Sequence, residues 1–302
     1  MKHLTTLSLI EAVAKARSIR KAAEDMNITS SALNRRIQRF EEEFGAPIFE
    51  RLPRGVRLNP AGELLIQHIR AQIADLDRVR SQVADLSGLR RGHVSIACSQ
   101  AIQPYFMPRH IAAYRTEHPG VTFAVHVRDR DRAEEDLRSF QSDLALVFEP
   151  QHLEEFEVIV SVEQPVYAVM AVDHPLAKKE TLRLRDCLEF PHVVPSRHIG
   201  IRYLLDLATG RMTKKLAHTI EADSFEFMRH YVQNEKAVGF QFPIGLDIAN
   251  DKRLAFRPLP RRDIDFGHLA LLQTKGRTLS VASARFANQL ALALSEEGGV
   301  QK

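Results

Sequence analysis

Cysteine is scarce in this 302-residue chain: only Cys98 and Cys187 occur, far apart and in no CxxC or clustered pattern. That excludes a disulfide framework and a cysteine-based zinc site, and leaves two thiols expected to be buried, with a redox switch as the rival reading. No uninterrupted apolar run approaches the roughly 18 residues needed to cross a bilayer, so no membrane partner is expected. The N-terminal MKHLTTLSLIEAVAKARS has an apolar patch, but Glu11 interrupts it and no small-residue cleavage site follows; a cytoplasmic location is expected. The 13 histidines are scattered, with no HExxH, and GxSxG, Walker and GxGxxG motifs are absent. No catalytic residue, metal or cofactor is therefore expected.

Most of the chain also lacks net charge. Residues 91–302 hold 27 Lys/Arg against 27 Asp/Glu, whereas residues 1–90 hold 15 against 11, so the excess of +4 lies at the N-terminal end. Residues 1–58 alone carry 11 basic against 7 acidic side chains. A local basic excess is the footprint of a polyanion-binding segment.

The pattern there reads as short helices and a hairpin. Leu4, Leu7, Ile10, Val13 and Ala14 recur at helical spacing, and Ser18 can cap a second helix carrying Ala22 and Ala23. Thr29 caps a third, whose buried stripe is Ala32, Leu33, Ile37 and Phe40 and whose stop is Gly45 with Pro47 beyond. Two helices joined by a few residues, the second presenting Ser30, Ser31, Asn34, Arg35 and Gln38 outward, form a helix-turn-helix pattern. In IFERLPRGVRL two short strands flank a Pro-Arg-Gly turn, giving a wing with Arg51, Arg54 and Arg57 suited to a phosphate backbone. Ser30, Ser31, Asn34 and Arg35 are expected nearest base edges, with Arg36 and Arg39 on phosphates or at the rim. Glu41, Glu42 and Glu43 would repel DNA and are expected to turn away toward basic residues of the same domain or its partner.

From Ala22-Ala23 through Ser30–Arg35, Ile48-Phe49-Glu50-Arg51 and Ala61-Gly62-Glu63, about twenty positions agree in order and spacing with a known family. The segment resembles the winged helix-turn-helix of LysR-type transcriptional regulators. It departs from the common pattern at Arg17-Ser18-Ile19, at Ser30-Ser31 and at Asn34, the last two on the reading face.

A helix capped by Asn59 and opened by Pro60 follows. Alternate steps of four and three give Leu65, Ile69, Gln72, Leu76, Val79, Val83 and Leu86, a coiled-coil seam that needs a partner helix or its own domain to cover it. The resemblance implies dimerisation through this helix, as homodimer or homotetramer. After a hinge-like stretch from Ser87-Gly88 to Arg91-Gly92, strand and helix patterns alternate as βαβαβ, so a parallel sheet with helices on both faces is expected. The grammar restarts after Val162. Expected extents are 1–58 for the DNA-binding domain, 59–88 for the linker helix and 89–302 for the effector domain, with lobe I at 93–162 and 268–302 and lobe II at 163–267. The return of the last strand and helix to lobe I, in the manner of type II periplasmic binding proteins, is what the resemblance implies.

Ligands of open parallel sheets sit outside the carboxyl ends of the strands, at helix N-termini. Ser99-Gln100-Ala101 after the first strand and Ser196-Arg197-His198-Ile199-Gly200 after a later one occupy such ends and match the family's effector-contact segments. Arg197 and Arg202 can pair with a carboxylate, Arg128 is a further candidate, and Phe148, Phe225 and Phe240 can form an apolar wall. Each has a plainer alternative: Ser99 and Ser196 as helix caps, the phenylalanines as core, Arg197 as a surface residue. The function expected is a promoter-binding regulator controlled by a small organic acid, with duplex DNA, a second copy and RNA polymerase as partners. Its rivals are DNA binding without small-molecule control and a plain periplasmic-type binding protein.

Overall fold

The computed structural model describes residues 2–86, 91–210, 212 and 220–298, which divide into two compact units, the first ending at Val83 but also counting Ser139–Gln141, the second holding the rest. No helix among the described residues is long and apolar enough to cross a membrane.

The first unit comprises α1 (Lys2–Ala16), α2 (Ile19–Asp25), α3 (Ser30–Phe44), β1 (Phe49–Leu52), β2 (Gly55–Leu58) and α4 (Pro60–Leu86). The later three helices each start on a capping oxygen: Ser18 Oγ accepts from Lys21 N–H at 3.3 Å, Thr29 Oγ1 from Ala32 N–H at 3.3 Å, and Asn59 Oδ1 from Gly62 N–H at 2.8 Å. Gly45 ends α3 with φ +85, a left-handed conformation that glycine adopts without strain. Leu7, Ile10, Val13, Ala22, Leu33, Ile37, Ile48 and Val56 close one core, and Ile66 and Ile69 of α4 complete it. The wing is fastened at both ends. Val56 N–H donates to Arg17 O at 3.0 Å and Asn59 N–H to Ile48 O at 3.1 Å.

This core corrects the seam expected along α4. Ile69 is 0% exposed within its own chain and Leu65 packs against the same core, so neither is free to meet a second helix. Leu76 is partly buried, Val79 and Val83 are exposed, and the Leu86 side chain lies outside the described residues. The part of the seam open to a partner thus begins about three turns later than the heptad pattern alone suggests.

The second unit runs β3 (Arg91–Cys98), α5 (Phe106–Glu117), β4 (Gly120–Val127), α6 (Arg130–Arg138), β5 (Leu144–Phe148), β6 (Phe156–Gln164), β7 (Tyr167–Ala171), α7 (Leu184–Cys187), β8 (Val193–Pro195), α8 (Gly200–Gly210), β9 (Ile220–Ala222), α9 (Phe225–Asn234), β10 (Gly239–Gln241), β11 (Leu254–Pro258), β12 (Gly267–Thr274) and α10 (Val281–Gly298). One sheet has the order β4-β3-β5-β12-β6. The β3 strand is parallel to β4 and β5, while β12 runs antiparallel to β5 and β6. The second lobe holds β10-β7-β11, antiparallel throughout, and the parallel pair β8-β9, linked by a parallel bridge from His192 to Val238.

Three expectations change. The first sheet is mixed rather than parallel, because the returning β12 enters from the far end of the chain. The nine-residue strand β6 spans the expected boundary at Val162. The segment after β3 forms a 3-10 turn, Gln100–Ile102, before α5 begins at Phe106. The hinge expected at Ser87-Gly88, the domain boundary at 88 and part of the strand expected over Ala217–Glu221 fall outside the described residues.

Cys98 and Cys187 are buried, and burial pushes each thiol up to about 12, which suppresses the reactive thiolate at neutral pH. In lobe II the Arg183 guanidinium grips Asp263 through two nitrogens, Nε at 2.6 Å, and Leu184 N–H adds a third bond at 3.0 Å. The hydrogen bond from Arg183 is the largest cause holding the Asp263 carboxyl below its ordinary 3.8.

Two outcomes follow. A Cβ on Gly62 would stand 2.1 Å from Ile48 O, a backbone atom that cannot give way; Gly62→Ala should destabilise the first unit by about 2–3 kcal/mol in urea unfolding, and an unchanged transition would contradict that packing. A depressed carboxyl stabilises the fold above its unfolded value and loses that contribution as pH falls through the folded one. Asp263→Asn should therefore melt several degrees below the parent at pH 7, with the gap closing below about pH 4; a gap constant with pH would remove this ion pair from the acid response.

Candidate functional site

On the first unit, α3 and the wing present one basic face. Thr29, Ser30, Ser31, Arg35, Arg36, Gln38 and Arg39 are exposed, and Asn34 is half-buried. Thr29 Oγ1 and Ser31 Oγ lie 3.2 Å apart at the helix start. The wing reaches this helix directly: Arg51 Nη2 donates to Asn34 Oδ1 at 3.2 Å. Arg39 pairs with Glu43 at 2.8 Å and Arg57 with Glu50 at 2.7 Å, both solvent-exposed pairs that a phosphate can displace at little expense. Arg35, Arg36 and Arg54 are exposed and have no carboxylate partner among the described residues.

The acidic run divides by role. Glu43 meets a basic residue, Arg39. Glu41 does not: its Oε1 accepts from Ile48 N–H at 2.8 Å and Phe49 N–H at 3.2 Å, so it anchors the entry to the wing from the far end of α3. A carboxylate can take two such donors where no later helical turn supplies a partner.

Between the lobes of the second unit lies a cavity of about 280 Å³. Of the residues expected there, Ser99, Gln100, Arg128, Phe148 and His198 line it. Ser99 Oγ accepts from Ala101 N–H at 3.3 Å, so it also caps the 3-10 turn. Gln100 Oε1 accepts from Phe225 N–H at 2.8 Å, tying lobe I to the first turn of α9. Arg128 Nε donates to buried Asp136 at 2.7 Å. Phe148 stacks on Phe242 at 3.9 Å between ring centroids, and Gly200 approaches it so closely that a Cβ would meet Phe148 Cβ at 3.0 Å.

The other expected contacts are placed elsewhere. Arg202 is 3% exposed and tied by its Nε to Asp206 at 2.9 Å and by its Nη1 to Glu221 at 2.8 Å and Pro195 O at 3.0 Å, so it staples α8 to β8 and β9. Phe225 and Phe240 are core residues, 3% and 1% exposed. Ala101 is buried where a Cβ on Gly245 would meet its carbonyl oxygen. Ser196 uses its N–H on Ala222 O at 3.1 Å, and Arg197 is exposed; neither lines the cavity.

Ile199 and Gly200, which continue the segment expected after β8, line it too, and Val127, Asp129, Arg130, Val147 and Asp223 do so without having been singled out in the sequence. The strand-end rule that selected Arg128 extends to Asp129 and Arg130, which follow β4, and to Asp223, which follows β9. Asp129 Oδ1 accepts from Arg132 N–H at 2.8 Å and so caps α6. Asp223 lies 3.7 Å from His198.

A winged helix-turn-helix, a long helix and a two-lobed α/β domain with a cavity between its lobes define a DNA-binding regulator with a ligand-binding domain. The model of the "LysR substrate binding domain" matches residues 87–294, and that of the "Bacterial regulatory helix-turn-helix protein, lysR family" matches residues 4–63. The chain belongs to the LysR family of transcriptional regulators, and it is a regulator rather than an enzyme. A RuBisCO operon transcriptional regulator from Allochromatium vinosum is 26% identical to it over 94% of this chain and 93% of its own length. The transcriptional activator CmpR from Synechocystis is 23% identical over 96% of both chains. Among solved structures, full-length OxyR from Pseudomonas aeruginosa shares the fold at TM-score 0.73 and 20% identity, covering 96% of this chain and 94% of that one. CbnR bound to its target DNA shares it at TM-score 0.66 and 16% identity, covering 96% and 99%.

If Arg202 is a staple, Arg202→Ala should lower stability by about 2 kcal/mol by removing charge-assisted hydrogen bonds, visible as a drop in melting temperature with or without ligand. Full retention of stability would return this arginine to the list of ligand contacts.

Proposed function

We propose that this regulator reads a promoter through α3 and its wing and is controlled by a small molecule held between the two lobes. The observation that carries this reading is the 280 Å³ cavity, lined from both lobes, on a chain whose first unit presents uncompensated arginines around α3. Thr29 to Gln38 enter the major groove, with Ser30, Ser31, Asn34 and Arg35 at base edges and Arg36 and Arg39 on phosphates. Arg51, Arg54 and Arg57 follow the backbone, and Arg51 also steadies Asn34. The proposed extents are residues 1–58 for DNA binding, 59–88 for the linker and 89–302 for the effector domain.

The later part of α4, where Val79 and Val83 are exposed and Leu76 is partly buried, joins two copies, with Leu86 continuing the pattern in sequence, giving a homodimer or homotetramer that reads a pseudo-palindrome. A small organic acid in the cavity favours one arrangement of the lobes, which resets the spacing of the reading heads and the bend in the DNA. RNA polymerase is recruited or excluded accordingly.

The test uses duplexes selected by the protein itself from a randomised library. Arg35→Ala should lose about 1–3 kcal/mol of specific affinity and relax preference at one position in each half-site. Arg54→Ala should weaken binding to all duplexes alike and reduce the slope of log affinity against log salt by about one. Two variants that bind like the parent across the salt series would place the reading head elsewhere.

A further inference from the structure

Arg128 is held by the Asp136 carboxylate at 2.7 Å, and Asp129 Oδ1 accepts the Arg132 N–H at 2.8 Å where it caps α6. Arg130 of lobe I and Asp223 of lobe II, which also line the cavity, make no hydrogen bond to a charged group.

Arg130 has a side chain only 15% exposed. Its Nη1 donates to the Glu149 carbonyl at 3.3 Å, and the amide oxygen of Gln151, in the orientation that satisfies both groups, accepts from Nε at 3.2 Å and Nη2 at 2.7 Å. All of these acceptors are neutral. The nearest carboxylate, Asp131, stands 3.6 Å from Nε, beyond hydrogen-bond reach. Arg130 is also the first residue of α6, where the helix dipole disfavours a cation. A largely buried guanidinium whose hydrogen bonds all go to neutral acceptors, with only an exposed carboxylate in a long ion pair, can still take up an anion at the positive end of a helix. Tyr203 of α8 lies beneath the same guanidinium, 5.6 Å away, so the anion would dock beside lobe II.

Asp223 is the complement. Its side chain is 75% exposed, and His198, at 3.7 Å, is also too distant for a hydrogen bond. This carboxylate keeps its accepting capacity on the lobe II side of the cavity. Apolar wall comes from Val127, Val147, Phe148 and Ile199.

We infer that the effector is an amino acid or a close zwitterionic analogue, its carboxylate on Arg130 of lobe I, its ammonium on Asp223 of lobe II and its apolar side chain against Phe148. The inference rests on the cavity being the effector site and names the chemical class it takes. A cavity of this size, at the small end of ligand pockets, suits such a molecule. A ligand with both charges finds an opposite charge on each lobe; a plain carboxylate finds one only on lobe I and meets Asp223 as a like charge. Differential engagement of the two lobes is what a ligand needs to shift their equilibrium.

The experiment uses the full chain, thermal shift followed by calorimetry, and as probes the twenty standard amino acids, their des-amino carboxylates and their decarboxylated amines. At least one amino acid should raise the melting temperature and bind at least tenfold more tightly than its matched carboxylate and its matched amine. Asp223→Asn, at an exposed position tolerant of change, should cost that amino acid about tenfold while leaving the carboxylate unaffected or improved. Arg130→Gln should weaken both. A carboxylate that binds as tightly as its amino acid, with affinity lost in Arg130→Gln, would overturn the class and leave the cavity standing. An amino acid whose affinity is unchanged in both variants would overturn the cavity itself as the effector site. Absence of binding across the amino acids also overturns the class, and the DNA measurements above judge the regulator reading independently.

Discussion

The burial of Ile66 and Ile69 in the same core as Leu33 and Ile37 is the contact on which the first unit depends. A helix-turn-helix of this size has little apolar interior, and each fully buried isoleucine contributes roughly 1.5–3 kcal/mol. Without α4, the reading helix would lack one wall of its core. The linker helix is thereby a structural member of the reading head for its first turns and an open surface only afterwards. Gly62 permits the close approach at the wing, and Asn59 closes both the strand end and the helix start.

In the second unit the equivalent constraint is electrostatic. The cavity lies where strand ends and helix starts converge, so it collects charged residues, and burial makes each unpaired charge expensive. The protein resolves this by local pairing: Arg128 on Asp136, Arg202 on Asp206 and Glu221, Asp129 on the start of α6. Arg130 on lobe I and Asp223 on lobe II line the same cavity without a hydrogen bond to a charged group, and on them rests the inference about what it holds. The Gln100 to Phe225 hydrogen bond and the Phe148 to Phe242 stack show that the lobes already touch, so a ligand adjusts an existing contact rather than creating one.

Much of this was legible in the chain as written. Apolar spacing, Ser18, Thr29 and Asn59 as caps, Gly45 as terminator and the order of basic residues are local properties, decided within a few residues by backbone sterics and hydrogen bonding. They determined the winged helix-turn-helix, the long helix and the alternation of strands and helices, and with them the family. Arrangement across distance was not encoded so locally. The antiparallel return of β12 joins positions over a hundred residues apart, Ile69 fits the heptad pattern equally well as seam or core, and Arg202 looks like any ligand-seeking arginine until Glu221 and Asp206 are found beside it. Conversely, Arg130 and Asp223 are ordinary surface-type residues in sequence. Only folding buries the one against neutral acceptors and leaves the other open, because pairing and burial are decided by which segments tertiary packing brings within a few ångströms.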